Sequence, residues 1–454
     1  MAHLSWPDDE TLLGVLARWL PEQRWYPAKD VAASGTTRPA VLVKSIHLTD
    51  PEHAALVADA IVRVPASEGS VLVQVPLVLT RPDDASPAPP GAITTLDDGS
   101  VLCDGPHHSA FLRAWAALGV TQGTGAGLAA LDPSRAQVMS GEQSNTSVLI
   151  PRREEAEPGP DGVLKVFRVV SPGVNPEVEI PVALVATGWH GVPAPIGWIE
   201  GSWREDGAEH HAHLGVVAAF VPGADDGFEL ACSYAREGRS FAELAADLGR
   251  TIAQMHRALA RSFPPEDDRD GPARAASLAA TVRARVEWAA REVAQLRPLL
   301  PQVENVIAQL EALPDVPLDQ RVHGDFHLGQ CLHSDAGWFI LDFEGEPLRP
   351  LETRAKPDQA LRDLAGAIRS IDYAAAVGDG SAQWAAQARA ALQDAYLRES
   401  AEASALPDQD ASSGHVIERA LLLERALYEA VYEARNRPDW LEIPLEAIRR
   451  EVGP

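Results

Sequence analysis

A short segment in the last third of the chain carries side chains suited to phosphoryl transfer. It reads VHGDFHLGQ at residues 322–330, and a second polar group, Asp342 and Glu344, follows an apolar run. Phosphoryl transfer needs a carboxylate near the attacking hydroxyl and oxygen ligands that hold magnesium across the phosphates. Asp325 is the candidate base. Gln330 and Asp342 are candidate magnesium ligands, with Glu344 as a further carboxylate, because Mg²⁺ prefers oxygen donors.

The spacing of these residues is typical of a kinase site. In protein kinases, the catalytic Asp and the metal-binding Asn are five residues apart, as Asp325 and Gln330 are here. A metal-dependent hydrolase that uses His323, Asp325 and His327 is an alternative. Such sites usually need further His or Asp clusters upstream, and the upstream His run near residue 210 is typical of a loop.

Phosphoryl transfer from a nucleotide also requires a lysine for its phosphates. Lys165 lies in the apolar run VLKVF, a pattern typical of a strand. A lysine among apolar residues needs an acidic partner. Glu177 and Glu179 follow in NPEVEI, and of these we favour Glu179. The alternative is that Lys165 lies on a half-exposed edge strand.

Two more segments are candidates for contacts with the nucleotide. The polar run SGEQSNTS joins two strand-like segments and would donate backbone N–H groups to phosphates, although an ordinary hairpin turn is an alternative. Phe220 and Val221 end an apolar strand before a Pro-Gly pair, so their backbone would bind adenine at a hinge. The candidate residues in the polar run are Gln143, Ser144, Asn145, Thr146 and Ser147.

The elements that position these residues are β-rich first and α-rich afterwards. After Pro222, apolar residues recur at spacings of three and four from Phe241 to Leu259, which predicts one long amphipathic helix. Ser240 and Glu243 are placed to form a capping box at its start. Runs rich in Val and Leu predict strands at 41–46, 71–79, 147–150, 163–168, 215–221 and 338–343, and residues 276–313 predict helix broken at Pro298 and Pro301.

Composition excludes several kinds of partner. The 454 residues carry a net charge of −26, which argues against nucleic acid and against electrostatic docking to a membrane. The three cysteines are far apart and form no disulfide framework, which is typical of the reduced cytosol. We see no signal peptide, and charges interrupt every long apolar stretch, so we expect a cytoplasmic protein.

Motifs along almost the whole chain resemble the actinobacterial maltokinases, members of the aminoglycoside-phosphotransferase-like kinases. WLPEQRWYPAKD is similar to the opening of that family's cap domain, and GEQSNTSVLI to its phosphate loop. LKVFRVVSPGVNPEVEI looks like its lysine strand and following helix. HGDFHLGQ, ILDFEGEPLRPLETRAKPDQALRDLAG and ERALYEAVYEARNRPDWLEIPL complete the set.

This resemblance implies an α+β, bilobal protein-kinase-like fold. It has an N-terminal cap subdomain (1–95), a β-rich intermediate subdomain (96–221) and an α-helical C-terminal lobe (222–454). The implied reaction transfers the γ-phosphate of ATP, with Mg²⁺, to the anomeric hydroxyl of maltose. The product, maltose 1-phosphate, would feed α-glucan (glycogen) synthesis from trehalose, with trehalose synthase as an implied partner. By the same resemblance, Lys165 holds ATP.

Sugar recognition would fall to the C-terminal lobe, where aromatic and charged residues recur on one helical stretch. A solvated helix flank with salt bridges is the alternative. Kinases of other sugars, such as glucosamine or glucose, would carry the same catalytic residues, whereas a non-catalytic nucleotide-binding regulator would not need Asp325. The candidate substrate-binding residues are His327, Lys356, Glu424, Tyr428, Glu429, Tyr432 and Arg435, with Trp440 as a wall.

Overall fold

The computed structural model describes residues 4–29, 40–66, 69–81, 88–121, 127–139, 144–156, 158–265, 269–345, 356–403 and 411–453. The chain divides into two compact units. One comprises Met1–Val182 and Pro193–Val221, and the other Ala183–Val192 and Pro222–Pro454. Among the described residues, no helix is both long and apolar enough to cross a membrane.

The first unit is built on two antiparallel sheets. Its strands are β1 (Val41–Leu48), β2 (Leu56–Pro65), β3 (Ser70–Thr80), β4 (Ala92–Thr95), β5 (Val101–Asp104), β6 (Val120–Thr121), β7 (Gln137–Val138), β8 (Thr146–Ile150), β9 (Gly162–Val166), β10 (Val169–Val170), β11 (Pro195–Glu205) and β12 (Ala208–Ala219). The first sheet has the order β1-β2-β3-β5-β4, with β10 also paired to β3, and the second has the order β6-β11-β12-β9-β8-β7. Because β5 pairs with β3, the first sheet continues beyond residue 95.

Two helices cover the first sheet. Helix α1 (Asp9–Trp19) contributes Leu12 and Leu16 to a buried cluster that includes residues of β2 and β3. Helix α2 (Ser109–Leu118) contributes Phe111 and Trp115 to a second cluster, which includes residues of both sheets. A third helix, α3 (Pro176–Ala186), follows β10. The division into three parts at residues 95 and 221 remains a prediction.

The second unit is mainly helical. Its helices are α4 (Gly227–Arg236), α5 (Ala242–Ser262), α6 (Gly271–Glu292), α7 (Leu300–Glu311), α8 (Leu361–Val377), α9 (Ala382–Ala403), α10 (Ala411–Asn436) and α11 (Glu442–Val452). A small antiparallel sheet lies among them, with the order β13 (Asp225–Asp226), β14 (Cys331–Ser334) and β15 (Gly337–Ile340). This sheet connects the two polar segments that the sequence singles out.

The predicted long helix is confirmed as α5, although its start differs from the expected capping box. Phe241 is the N-cap residue, and the Ser240 hydroxyl accepts from the backbone N–H of Ala242 at 3.3 Å. The predicted strands are confirmed with shifted ends. Helix α6 ends at Glu292, Pro298 lies in a 3-10 turn between α6 and α7, and Pro301 lies in the first turn of α7. The sequence analysis missed two long strands, β2 and β11, whose apolar residues do not stand out as separate runs. It also missed the short strands β4, β5, β6, β7, β10, β13 and β14.

Candidate functional site

A buried carboxylate holds the loop that carries Asp325. Asp363, in the first turn of α8, accepts from the backbone N–H groups of His323 at 2.8 Å and Gly324 at 2.9 Å, and it also pairs with His256 at 3.0 Å. Burial alone would raise the pKa of Asp363, but its interactions with His256, with His323 and with the Gly324 N–H together outweigh burial and lower it. An ionised Asp363 therefore fixes the backbone directly before Asp325.

The segment around Asp342 is tied to the same loop. The Leu341 carbonyl pairs with His323 Nε2 at 2.7 Å, and the Leu341 N–H donates to the backbone carbonyl of Gln330 at 2.9 Å. Gly324 has φ +86°, and a Cβ added there would lie 3.2 Å from the Cα of Gly345. The two polar segments are therefore packed closely against each other, and a side chain at residue 324 would be tight against Gly345.

The negative charges of Asp325 and Asp342 both influence the pKa of His327. Burial lowers the pKa of His327, and the negative charges of Asp325 and Asp342 oppose that shift. Asp342 itself has φ +56°, a left-handed conformation that is uncommon outside glycine and that turns the chain directly after β15. Both carboxylates are thus near enough to one imidazole to influence it electrostatically.

The donors near Asp342 fit magnesium. Among the described residues, no three His, Cys, Asp or Glu side chains form a ready metal cage. Mg²⁺ usually takes one or two protein carboxylates together with substrate phosphates and water. The backbone carbonyl of Gln330 accepts from the N–H of Leu341, so a residue with an amide oxygen, just before β14, is tied to the residue next to the Asp342 carboxylate, just after β15. Glu344 follows in the same turn, and its role as a third ligand stays a prediction.

Asp325 and His327 line a cleft of about 530 Å³ in the second unit. Both aromatic rings and carboxylates line it. Tyr373 donates to Glu433 at 3.0 Å, and its ring centroid lies 6.1 Å from that of Trp440. The predicted Tyr428, Glu429 and Tyr432 line the cleft, as do Asp226, Phe228, Glu229, Arg425, Glu433, Arg437 and Trp440.

Three predicted substrate-binding residues do not line this cleft, and their roles toward a substrate remain predictions. Glu424 is 2% exposed and is held by Arg285 at 2.7 Å and Arg362 at 2.6 Å, so its carboxylate is committed to an internal ion-pair network. Arg435 is exposed and pairs with Glu292 at 3.0 Å, outside the cleft. Lys356 lines a separate pocket of about 270 Å³ beside Arg362.

Lys165, on β9 of the first unit, is ion-paired. Its Nζ lies 3.0 Å from Glu177 Oε2, and both side chains are largely buried. This excludes the alternative of an edge strand, because β9 lies between β8 and β12. The observed partner is Glu177, whereas the sequence analysis favoured Glu179. Glu179 instead lies near enough to His213 to influence that imidazole electrostatically.

The remaining predicted nucleotide contacts also lie in the first unit. Gln143 lies outside the described residues. Asn145, Thr146 and Ser147 are buried at the start of β8, and Asn145 donates weakly to the Ser144 hydroxyl at 3.4 Å. Past the end of β12, the Phe220 N–H donates to the Asp161 carbonyl at 2.9 Å, and Val221 is buried. Their roles toward a nucleotide remain predictions.

The sequence analysis missed Arg425 and Tyr373. Arg425 donates to Asp325 Oδ1 at 3.1 Å and pairs with Glu429 at 3.5 Å. One signal was present in the sequence, since Arg425 precedes Glu429 by four residues, the spacing of ion pairs on one helix face. Its contact with Asp325 joins residues that are 100 positions apart in the chain, and local sequence patterns do not predict such contacts.

Comparisons with known proteins agree with this architecture. Residues 19–107 match the maltokinase N-terminal cap domain, and residues 192–406 match the phosphotransferase enzyme family. A glucosamine kinase of Mycolicibacterium smegmatis (strain ATCC 700084 / mc(2)155) is 30% identical over 323 residues, which cover 68% of this chain and 77% of that protein. A glucosamine kinase of Streptacidiphilus jiangxiensis is 30% identical over 295 residues, or 60% of this chain and 64% of that protein.

The fold is also shared with a solved structure. A glucosamine kinase in complex with glucosamine, ADP and inorganic phosphate superposes with a TM-score of 0.64, at 24% identity, over 98% of this chain and 99% of that one. Together with the two family matches in chain order and a 30% identical relative, this leads to one conclusion. The chain belongs to the phosphotransferase enzymes that carry a maltokinase N-terminal cap domain and have a protein-kinase-like fold.

Proposed function

We propose that this protein is an ATP-dependent sugar kinase that phosphorylates the anomeric hydroxyl of maltose. The observation that carries the proposal is the cleft that opens at Asp325 and is walled by aromatic rings and carboxylates. Its volume is within the range of ~300–1,000 Å³ that small-molecule sites occupy. A single sugar ring would leave much of it filled with water, whereas two rings would fill it better.

The charges in the cleft favour a neutral sugar. Glu429 pairs with Arg369 at 2.8 Å, Glu433 with Arg437 at 2.8 Å, and Asp325 with Arg425 at 3.1 Å. A carboxylate that already has a guanidinium partner can still accept from a sugar hydroxyl, but it gains less from an ammonium group. Aromatic faces such as that of Trp440 suit the C–H faces of a sugar ring.

The proposed chemistry uses few side chains. Asp325 accepts the proton of the attacking hydroxyl as the oxygen bonds to the γ-phosphorus of ATP and the bond to ADP breaks. In the first unit, Lys165, held by Glu177, binds nucleotide phosphates. Gln330 and Asp342 would hold magnesium, which neutralises phosphate charge when it is bound.

Glucosamine is the second candidate acceptor. The relatives from Mycolicibacterium smegmatis and Streptacidiphilus jiangxiensis are glucosamine kinases. Two exposed carboxylates at the cleft, Asp226 and Glu229, offer negative charge near the start of α4. An amino sugar that is protonated at neutral pH would gain from both.

A sugar panel decides between the two. The protein is incubated with ATP and Mg²⁺ and with maltose, glucosamine or glucose in turn, and phosphorus NMR identifies the product and the modified hydroxyl. We expect maltose 1-phosphate. Efficient turnover of glucosamine with none of maltose would overturn the choice of sugar, and turnover of no sugar would overturn the kinase proposal.

A variant sharpens this comparison. Glu229→Gln removes one negative charge at the cleft without changing the size of the side chain. If glucosamine binds there, kcat/KM for glucosamine should fall several-fold in this variant while kcat/KM for maltose stays constant. An equal change for both sugars would show that Glu229 does not select the substrate.

A further inference from the structure

A row of alternating charges ends at Asp325. Arg369 on α8 is 1% exposed and pairs with Glu429 on α10 at 2.8 Å. Glu429 pairs with Arg425 at 3.5 Å, and Arg425 donates to Asp325 Oδ1 at 3.1 Å. At its far end, Arg369 pairs with Asp372, which also binds Arg389 and Arg450.

Each member of this row limits the movement of the next. Burial alone would lower the pKa of Arg369, but the attraction of Glu429 and Asp372 outweighs burial and raises it, so Arg369 stays charged. Arg425 also lies over the ring of Tyr428, 5.3 Å from its centroid. A guanidinium is a planar group with donors in fixed directions, so these contacts restrict its orientation. The position of Arg425 is therefore set by two packed helices.

Arg425 in turn fixes one carboxylate oxygen. Its hydrogen bond to Oδ1 of Asp325 sets the rotation of that carboxylate, which leaves Oδ2 as the oxygen for the acceptor hydroxyl. A positional error of about 1 Å in a reacting group can cost ~10²-fold in rate. Loss of control over this rotation is therefore expected to lower the rate of the reaction that uses Asp325 as the base.

We propose that Arg425 is a positioning residue that orients the base Asp325 for proton transfer from the sugar hydroxyl, and that the ion-pair row from Arg369 holds it in place. The inference rests on the proposed function, since it assigns Asp325 as the base. The proton moves from the acceptor hydroxyl to Asp325 as the phosphoryl group moves from ATP to the hydroxyl oxygen. Arg425 itself neither gains nor loses a proton.

The test compares three full-length variants with the wild type on the sugar that the wild type phosphorylates. Arg425→Gln removes the charge, Arg425→Lys keeps the charge without the planar fork, and Arg283→Gln is the matched control. Arg283 pairs with Glu304 and Glu311 on the surface of the same unit, away from the cleft. Thermal unfolding of each variant checks that it is folded, and kcat and KM are measured for the sugar and for ATP.

We expect Arg425→Gln to lower kcat by about 10- to 100-fold, with both KM values changed by less than about threefold. Arg425→Lys should recover part of kcat, and Arg283→Gln should match the wild type. A rise in the sugar KM at constant kcat would overturn the proposal and make Arg425 a binding residue. Wild-type kcat in a folded Arg425→Gln would also overturn it.

The two proposals fail in different ways. If the wild type phosphorylates no sugar, the proposed function is wrong and the role of Arg425 is wrong with it. If the wild type is active and Arg425→Gln is equally active, only the role of Arg425 is wrong. If Arg425→Gln does not fold, Arg425→Lys becomes the deciding variant. A reduced kcat in Arg425→Lys would support the proposal, and a wild-type kcat would show that the planar, fork-shaped donor is not needed.

Discussion

The buried ion pair between Arg168 and Asp104 gives the most specific prediction about stability. Arg168 is 0% exposed, and its two terminal nitrogens donate to the two Asp104 oxygens at 2.9 and 2.7 Å. Its Nε donates to the Thr146 hydroxyl at 2.8 Å, and the guanidinium lies over the ring of Trp25 at 4.3 Å. Asp104→Ala removes the carboxylate that pairs with Arg168 while Arg168 itself remains buried.

Loss of one partner of a buried pair costs ~3–5 kcal/mol, because the other charge stays buried without compensation. For a cooperative unit of about 150–250 residues, 1 kcal/mol corresponds to roughly 2–4 °C in Tm. We therefore expect the transition of the first unit to fall by about 6–20 °C, measured by circular dichroism or calorimetry. Arg81→Ala, which breaks an exposed pair with Asp98, is the control and should change Tm little.

A second variant separates the lost charge from the lost volume. Asp104→Leu combined with Arg168→Met replaces both charges by apolar groups, which is often neutral or stabilising at buried pairs. We expect the double variant to recover most of the Tm lost in Asp104→Ala. A fall of less than about 2 °C in Asp104→Ala would refute the reasoning, since Arg168 would then not need its partner.

Three further predictions concern the second unit. Asp363→Asn cannot accept all three of its hydrogen bonds, so kcat should fall at least about 10-fold with the ATP KM nearly constant; an unchanged kcat would contradict the bracing role. Gly324→Ala places a Cβ beside Gly345 on a residue with φ +86°. The free energy of unfolding, measured with denaturant, should therefore fall by ~1–3 kcal/mol, and an unchanged value would contradict this prediction. Burial raises the pKa of Glu418 from 4.5 to about 7. The folded state therefore binds the extra proton, and stability falls as pH rises from 4.5 to 7. Glu418→Gln should unfold at a higher temperature than the wild type at pH 8 and at a similar one near pH 4.5, and equal curves at every pH would contradict this.

Part of the site could be predicted because it is local. Asp325 and Gln330 belong to one short loop, and Asp342 follows the next hairpin, so their spacing alone brings them together. Lys165 was predicted as a strand lysine because its apolar neighbours alternate with it in β9. In each case the chain path between the residues is short or regular.

Other parts depend on contacts that sequence spacing does not encode. Glu424 and Tyr428 are four residues apart on α10, yet Glu424 forms ion pairs with Arg285 and Arg362, which lie on two other helices. Lys165 pairs with Glu177, which lies in the first turn of α3 and is buried. Arg425 reaches Asp325 across 100 residues. The packing of separate helices decides these partners.

Phosphorus NMR of the wild type and of Asp325→Asn tests the central claim most directly. With ATP, Mg²⁺ and maltose, the wild type should form ADP and a phosphorus signal from a sugar 1-phosphate. Asp325→Asn, which keeps the size of the side chain but cannot accept the proton, should be at least about 10²-fold slower. Near-normal product formation by Asp325→Asn would contradict the account, because Asp325 would then not be the base.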